Sequence, residues 1–333
     1  MATMEKSKMI GDGKSPSQIL KDIALSQEGI LFIILVLTIM ILSRSNENFL
    51  TTRNLFNQGR LMAEVGLMAL PMTFIIITGG IDLSVGSILG LSAILVGYTW
   101  SNLGMPLEVA IVMALLGGSL AGFINGLIIV RINVPPLIMT LATLAFYRGL
   151  AQGISEARSV TGYPEWFFGL GQGTFLGFPS QLWLLIIAII ISITVLQRTT
   201  LGRTLYAIGN NAVGARFSGL PVDRTLLIIY TFSGFMAGLS GVIFVSRFTT
   251  TRSDMGNGLE LDAIAAVVLG GTSIFGGKGS IIGTIIGVVM VQLLRNGLAI
   301  NGVTNDATIV VIGSVLIVAI LVNNQIQRLR QSE

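Results

Sequence analysis

Residues 260–283 read Glu-Leu-Asp-Ala-Ile-Ala-Ala-Val-Val-Leu-Gly-Gly-Thr-Ser-Ile-Phe-Gly-Gly-Lys-Gly-Ser-Ile-Ile-Gly. Two carboxylates, Glu260 and Asp262, border the apolar run 263–269. That run is too short to cross a bilayer as an ordinary helix, which needs about 20 residues. Five glycines follow, Gly270, Gly271, Gly276, Gly277 and Gly279, with Lys278 among them, and a second apolar run begins at Ile281. Interrupted backbone inside a membrane is tolerated only where protein buries it or a water-filled path bathes it. The stretch therefore predicts a broken span in a membrane protein that moves something.

Composition supports this reading. Of 333 residues, 52% are hydrophobic and only 11% charged, against about 25% charged in ordinary globular domains. The excess apolar surface needs lipid to cover it. Glycine, at 41 residues, lets transmembrane helices approach closely. Cysteine and histidine are both absent. This removes disulfides, thiol nucleophiles, the commonest general base and the commonest zinc ligand. No catalytic residue and no metal site is expected. The net charge of +4 comes without a basic stripe of interleaved aromatics, so nucleic acid is not an expected partner.

Outward from the opening stretch, apolar runs recur at 29–43, 61–78, 85–100, 109–130, 136–150, 182–196, 226–245, 263–269, 281–294 and 309–322. The expected fold is all-α: a polytopic membrane protein of about ten transmembrane helices, short or broken spans included, with both termini cytoplasmic. The tail 1–28 is polar and lacks the pattern of a signal peptide. It is read as a cytoplasmic N-terminal tail, 29–322 as the transmembrane domain, and 323–333 as a cytoplasmic C-terminal tail. The loop 197–225 carries four arginines against Asp223, which places it in the cytoplasm by the positive-inside rule.

Four places in this frame stand out. In Gly79-Gly-Ile-Asp-Leu-Ser-Val-Gly-Ser87, Asp82 lies between two apolar runs. Either it caps the following helix from a tight turn at the membrane face, or Asp82 or Ser84 lines a path or contacts a cytoplasmic partner. In the 197–225 loop, Asn210 is suited to cap a helix of about eight residues, and Gly219 with Pro221 to stop it. Such a helix either fits a partner's groove or merely anchors a long loop. Glu260 and Asp262 stand two apart and do not share a helix face, so they do not form a joint metal or paired-carboxylate site. They read either as helix capping and solvation at the outer mouth or as a polar rim meeting an incoming ligand or its carrier. Asn125, Thr140, Thr143, Tyr147 and Ser233 are uncharged polar groups within apolar runs; they hydrogen-bond neighbouring helices or contact a polar solute. Gly277-Lys278 fails the phosphate-loop pattern, since Gly279 follows and residue 272 is Thr. Energy must come from outside the chain. The rival readings are an ion-gradient-driven transporter, a membrane-embedded enzyme using Asp82, Glu260 or Asp262, and a passive channel.

Three separated motifs carry a resemblance. They are the 79–87 segment, Gly209-Asn-Asn211 with Ala215 and Ser218-Gly-Leu220, and 260–273 with Gly276-Gly-Lys-Gly279. Together they resemble bacterial sugar ABC importer permeases of the ribose, xylose, arabinose, galactose, rhamnose and autoinducer-2 branch, in the same order from about residue 45 to 325. The resemblance implies a permease subunit in the bacterial inner membrane that dimerises with a second permease subunit. It implies two cytoplasmic ATPase domains that use ATP, no cofactor on this chain, and a periplasmic or lipid-anchored sugar-binding protein. It makes 209–220 the coupling helix, with Arg203, Gly209, Asn210, Asn211, Ala215, Arg216, Ser218 and Gly219 toward the ATPase. Asp82, Ser84, Asn125, Thr140, Thr143, Glu260 and Asp262 are the candidates for the pathway or its gating. Val213 and Gly214 stand where relatives often carry Glu and Ala, and Gly214 loosens the helix by up to about 1 kcal/mol relative to Ala.

Overall fold

Long apolar runs bury their backbone polarity by coiling, because lipid offers no hydrogen-bond partner. In the computed structural model of the chain, which describes residues 27–304, 306–314 and 317, the first nine apolar runs each fall on a helix. These are α1 (Gln27–Ser45), α2 (Thr52–Ile77), α3 (Val85–Gly97), α4 (Leu107–Ile132), α5 (Pro136–Ser155), α7 (Ser180–Arg198), α9 (Val222–Phe248), α10 (Leu259–Leu269) and α11 (Ile281–Ile300). The sequence runs did not mark α6 (Glu165–Gly171), α8 (Thr200–Phe217) or a two-residue hairpin of β1 (Thr174–Phe175) and β2 (Phe178–Pro179). The run 309–322 lies mostly outside the described residues; 306–314 is helical. Among the described residues, α2, α4, α5, α7, α9 and α11 are each long and apolar enough to cross a membrane. The chain is an all-α polytopic membrane protein.

Burial orders these helices. The apolar window of α2 is 83% buried and that of α5 only 28%, so α2 is an axis and α5 a wall. Leu116, Leu120, Ile138, Leu141, Phe146, Ile187 and Ile190 stand exposed on α4, α5 and α7, an apolar surface suited to lipid or to another subunit. Where α4 crosses α9, Gly118 and Gly122 meet Gly234 and Gly238. A Cβ on Gly122 would lie 2.1 Å from the Tyr230 carbonyl oxygen, and one on Gly234 2.1 Å from that of Gly118. Small residues four apart thus set the close approach.

Two spans are broken. At 1.5 Å per residue, α2 is about 39 Å long and α3 only about 20 Å, extended by a π-helical turn at Tyr98–Asn102. Residues 78–84 run without helix from the end of α2 back into the protein. The other break is α10, of 11 residues, followed by the glycine-rich 270–280 loop. There a Cβ on Gly270 would lie 2.4 Å from the Gly283 carbonyl oxygen, which folds α10 back along α11. The loop, the end of α2 and α8 share one face of the bundle, here the α8 face. The start of α2 and the ends of α9 and α11 form the opposite face.

Candidate functional site

Asp82 is completely buried. Its Oδ1 accepts from the Ser84 backbone N–H (3.0 Å) and the Ser84 hydroxyl (2.6 Å), and its Oδ2 from the Ser233 hydroxyl (2.9 Å). Asn125 Nδ2 donates to Ser84 Oγ at 2.8 Å, and the Tyr147 hydroxyl to the Ala121 carbonyl at 2.9 Å. Thr140 Oγ1 lies 3.0 Å from the Ile81 carbonyl oxygen, whereas Thr143 bonds back to its own helix at Met139 (3.1 Å). Asp82 thus braces Ser84, the residue that opens α3, and does not itself cap the helix; its setting is not a tight turn at a membrane face. Ser233 stands about 16 Å from the start of α9 and about 22 Å from its end, so the carboxyl lies deep between helices. The break at 78–84 drops it there, and Ser84 at the head of α3 and Ser233 on α9 supply its partners. Asp82→Asn keeps an acceptor for Ser84 and gives Ser233 a donor, so folded yield and Tm in nanodiscs are expected to stay near wild type. Asp82→Leu strands three buried donors at about 1–3 kcal/mol each and is expected to lower both sharply; equal behaviour of the two variants would refute the network's structural weight.

Glu260 and Asp262 are not a solvated rim. They are 8% and 3% exposed, and each goes to a different neighbour. Asp262 Oδ1 accepts from Arg295 Nη2 at 2.7 Å. Glu260 Oε1 accepts from the Gly258 N–H at 3.2 Å, and its Oε2 faces Gly86, where a Cβ would lie only 2.0 Å away. Arg148 closes the same place. Its Nη1 donates to the Ser253 and Met255 carbonyls (2.7 Å each) and its Nη2 to that of Gly86 (3.2 Å). The first turns of α3 and α10 therefore meet inside the protein. The residue that ties them, Arg148, lies within the apolar run 136–150 and was not singled out in the sequence.

At the α8 face, Asn211 (φ −162°, ψ 98°) breaks α8. Its Oδ1 accepts from the Gly214 N–H at 2.8 Å, so Asn211, not Asn210, caps the segment 212–217. Asn210 Nδ2 instead donates back to the Tyr206 carbonyl at 2.8 Å. The segment is shorter than the eight residues expected because the cap sits one residue later and Phe217 ends it. Gly219 (φ +79°) supplies the stop, with the Leu220 N–H reaching the Ala215 carbonyl at 3.1 Å. Arg216 pairs with Asp223; Arg203, Asn210, Ser218 and Gly219 are exposed and Ala215 is buried. Just before the break, a Cβ on Gly209 would lie 1.8 Å from the Ile77 carbonyl oxygen and 2.4 Å from Gly277 N. The Gly277 N–H donates to that same Ile77 carbonyl at 2.9 Å, and the Tyr206 hydroxyl to the Gly279 carbonyl at 2.8 Å. The three motifs that lie far apart in sequence thus converge on one backbone junction. Val213 and Phe217, 65% and 90% exposed, project from the capped segment; apolar residues within a polar loop were the signal for them in the sequence.

At the opposite face, a cavity of about 620 Å³ is lined by Asn54, Asn57, Gln58, Arg60, Gln172 and Asn296, with Arg247 and Leu61. Arg247 is held by Glu64 through Nε–Oε1 (2.6 Å) and Nη2–Oε2 (2.9 Å), and its guanidinium lies 4.0 Å from the Phe248 ring centroid. None of the seven pathway candidates lines this cavity. Its residues escaped the sequence reading because α2 starts at Thr52, capped by Thr51, well before the apolar run at 61.

The profile of the family described as "Branched-chain amino acid transport system / permease component" matches residues 54–320. The ribose import permease protein RbsC of Bacillus subtilis is 41% identical over 88% of this chain and 92% of its own. RbsC of Escherichia coli K12 is 38% identical over 89% and 93%. The autoinducer 2 import system permease protein LsrD of Photorhabdus luminescens is 35% identical over 86% and 88%. No solved structure matches. The three motifs and the match across most of the chain agree, and the chain belongs to the family of bacterial ABC-transporter permeases of the sugar-importer branch.

Proposed function

We propose that this chain is the membrane subunit of an ATP-binding cassette importer that carries a monosaccharide or sugar-like solute into the cytoplasm, driven by separate ATPase subunits. The observation that carries the proposal is the α8 junction. A short, separately capped surface segment bears a bare Phe217 and, through Gly209, abuts both broken spans. That arrangement suits a lever: a push on 212–217 reaches the α2–α3 break and the α10–α11 loop through backbone contacts, without a flexible side chain between. In this reading the α8 face is cytoplasmic, about ten helices cross the inner membrane with both termini inside, and 1–28 and 323–333 are tails. A second permease subunit completes the pathway, and a binding protein delivers the solute to the opposite face. The names of the relatives support a solute of the ribose or autoinducer-2 class. Asp82, Glu64 and Asp262 are held in hydrogen bonds or ion pairs, which suits a pathway that grips its solute weakly while the binding protein supplies affinity.

The test is uptake of radiolabelled D-ribose, D-xylose and D-galactose in cells expressing the permease with the ATPase and binding protein encoded beside it. Uptake is expected to vanish when the ATPase is inactivated and to persist when the proton gradient is collapsed at constant ATP. The reverse pattern would sink the proposal in favour of an ion-gradient-driven transporter.

A further inference from the structure

The polar cavity at the face opposite α8 has two polar atoms with nothing to bond, and they point to a ligand. Gln58 is 5% exposed, and its Oε1 has no partner. Arg60 Nε is likewise buried and unpaired. Buried polar groups are almost always satisfied, and each exception calls for an explanation. The walls around these two atoms are braced. Asn54 and Asn296 exchange amide hydrogen bonds of 2.8 and 2.9 Å. Arg60 spends Nη1 on Asn57 Oδ1 (3.1 Å) and Nη2 on the Gln172 carbonyl (2.8 Å), and Gln172 Nε2 donates to the Arg247 carbonyl at 2.8 Å. Two fully buried atoms, one acceptor and one donor, remain unbonded in this braced frame, with the Asn57 and Gln58 amide nitrogens beside them.

We infer that this cavity is an entry site for a neutral polyhydroxylated solute, held weakly by Gln58, Asn57 and Arg60. The inference rests on the importer reading above and adds where the solute first touches the chain. A hydroxyl group both donates and accepts, so neighbouring hydroxyls of one sugar satisfy Gln58 Oε1 and Arg60 Nε together. Hydrogen-bonding capacity favours a polar, uncharged ligand, although Arg60 keeps its charge with no carboxylate in the lining to offset it. Five of the eight lining residues are amides. Arg247 is neutralised by the bidentate Glu64, and Arg60 has both terminal nitrogens committed to neutral acceptors. No carboxylate lines the cavity, so a cation finds no counter-charge. Its size falls in the range of small-molecule sites, about 300–1,000 Å³. With few free groups and a single apolar wall residue, Leu61, it holds solute loosely, as a conduit fed by a binding protein requires.

Saturation-transfer difference NMR on the full chain in nanodiscs tests the site, with D-ribose, D-xylose, D-galactose and ribose 5-phosphate as probes. At least one free sugar is expected to receive saturation. Its signal is expected to fall at least about fivefold in Gln58→Leu, the equivalent of one hydrogen bond of ordinary net strength. Asn57→Trp, at an exposed position that fills the cavity without entering the core, is expected to do the same, while Phe217→Asp leaves the signal intact. No free-sugar signal in the wild-type chain, an unchanged signal in both cavity variants, or a signal from ribose 5-phosphate alone each overturns the inference. Cellular uptake separates the two readings. ATPase-driven uptake that survives both cavity variants removes the entry role and leaves the importer standing. Wild-type uptake indifferent to the ATPase removes the importer reading, whatever the cavity binds.

Discussion

Phe217→Asp is expected to leave the protein folded and to disconnect it from its ATPase. Phe217 is 90% exposed at the end of the 212–217 segment, so nothing within the subunit depends on its ring. An exposed aromatic on a short, rigidly capped helix is the kind of anchor that dominates a protein interface, where truncation costs about 2 kcal/mol or more. A loss of that size weakens docking by about thirtyfold, and a carboxylate placed in an apolar groove adds a desolvation cost. The measurements are folded yield and Tm, co-purification of the ATPase, and uptake. Yield and Tm should match wild type while co-purification and uptake fall together. Normal uptake would remove Phe217 from the docking surface. Replacing 210–218 with a Gly/Ser linker should abolish uptake and spare membrane insertion, as a coarser form of the same test.

Gly209→Ala carries the second large effect, and it acts on the lever itself. The added methyl would sit 1.8 Å from the Ile77 carbonyl oxygen and 2.4 Å from Gly277 N. Both neighbours are backbone, joined to each other by a hydrogen bond, so no rotamer change relieves the clash. Overpacking of this kind costs about 1–3 kcal/mol or more. It separates α8 from both broken spans, and uptake per folded molecule is expected to fall about tenfold or more, with a lower Tm. Gly214→Ala makes the contrast. Its methyl would meet only the Asn211 side chain, at 3.2 Å, and it gains up to about 1 kcal/mol of helix propensity. Uptake within about twofold of wild type is expected there, since only a small repacking of one side chain is asked for. Equal losses in the two variants would mean that the junction is not what Gly209 serves.

Much of this molecule was legible in order and type. The apolar runs marked nine helices, because helix formation in lipid follows from local composition and length. The glycine-rich 270–280 stretch marked a true break, and Gly219 a true helix stop with positive φ, because both are local backbone properties. Motif order and spacing carried the family. Other features belong to residues that meet only in space. Asn211 displaced Asn210 as the cap because Gly209 and Asn210 are held against Ile77 and Gly277, so the chain turns one residue later. Asp82 reads as a surface cap until Ser233, 151 positions away, arrives to bond it. Glu260 and Asp262 read as a wet rim until Arg295 and the Arg148–Gly86 contact enclose them. The polar cavity was hidden for a different reason: four of its lining residues, Asn54, Asn57, Gln58 and Arg60, precede the apolar part of α2, and a search by hydropathy passes over the polar turns of a helix.

The sequence by itself determined that the chain lives in a membrane, where its long apolar helices fall, where one span breaks, and to which family of permeases it belongs. These follow from residue type, run length and motif, each a property of neighbours along the chain. Only the tertiary structure decided that the two breaks and α8 share one glycine-walled junction, that Asp82, Glu64 and Asp262 find buried partners, and that two unbonded polar atoms face one cavity. Those depend on which backbones approach within contact distance. That approach is set by packing among distant helices and not by any single stretch of residues.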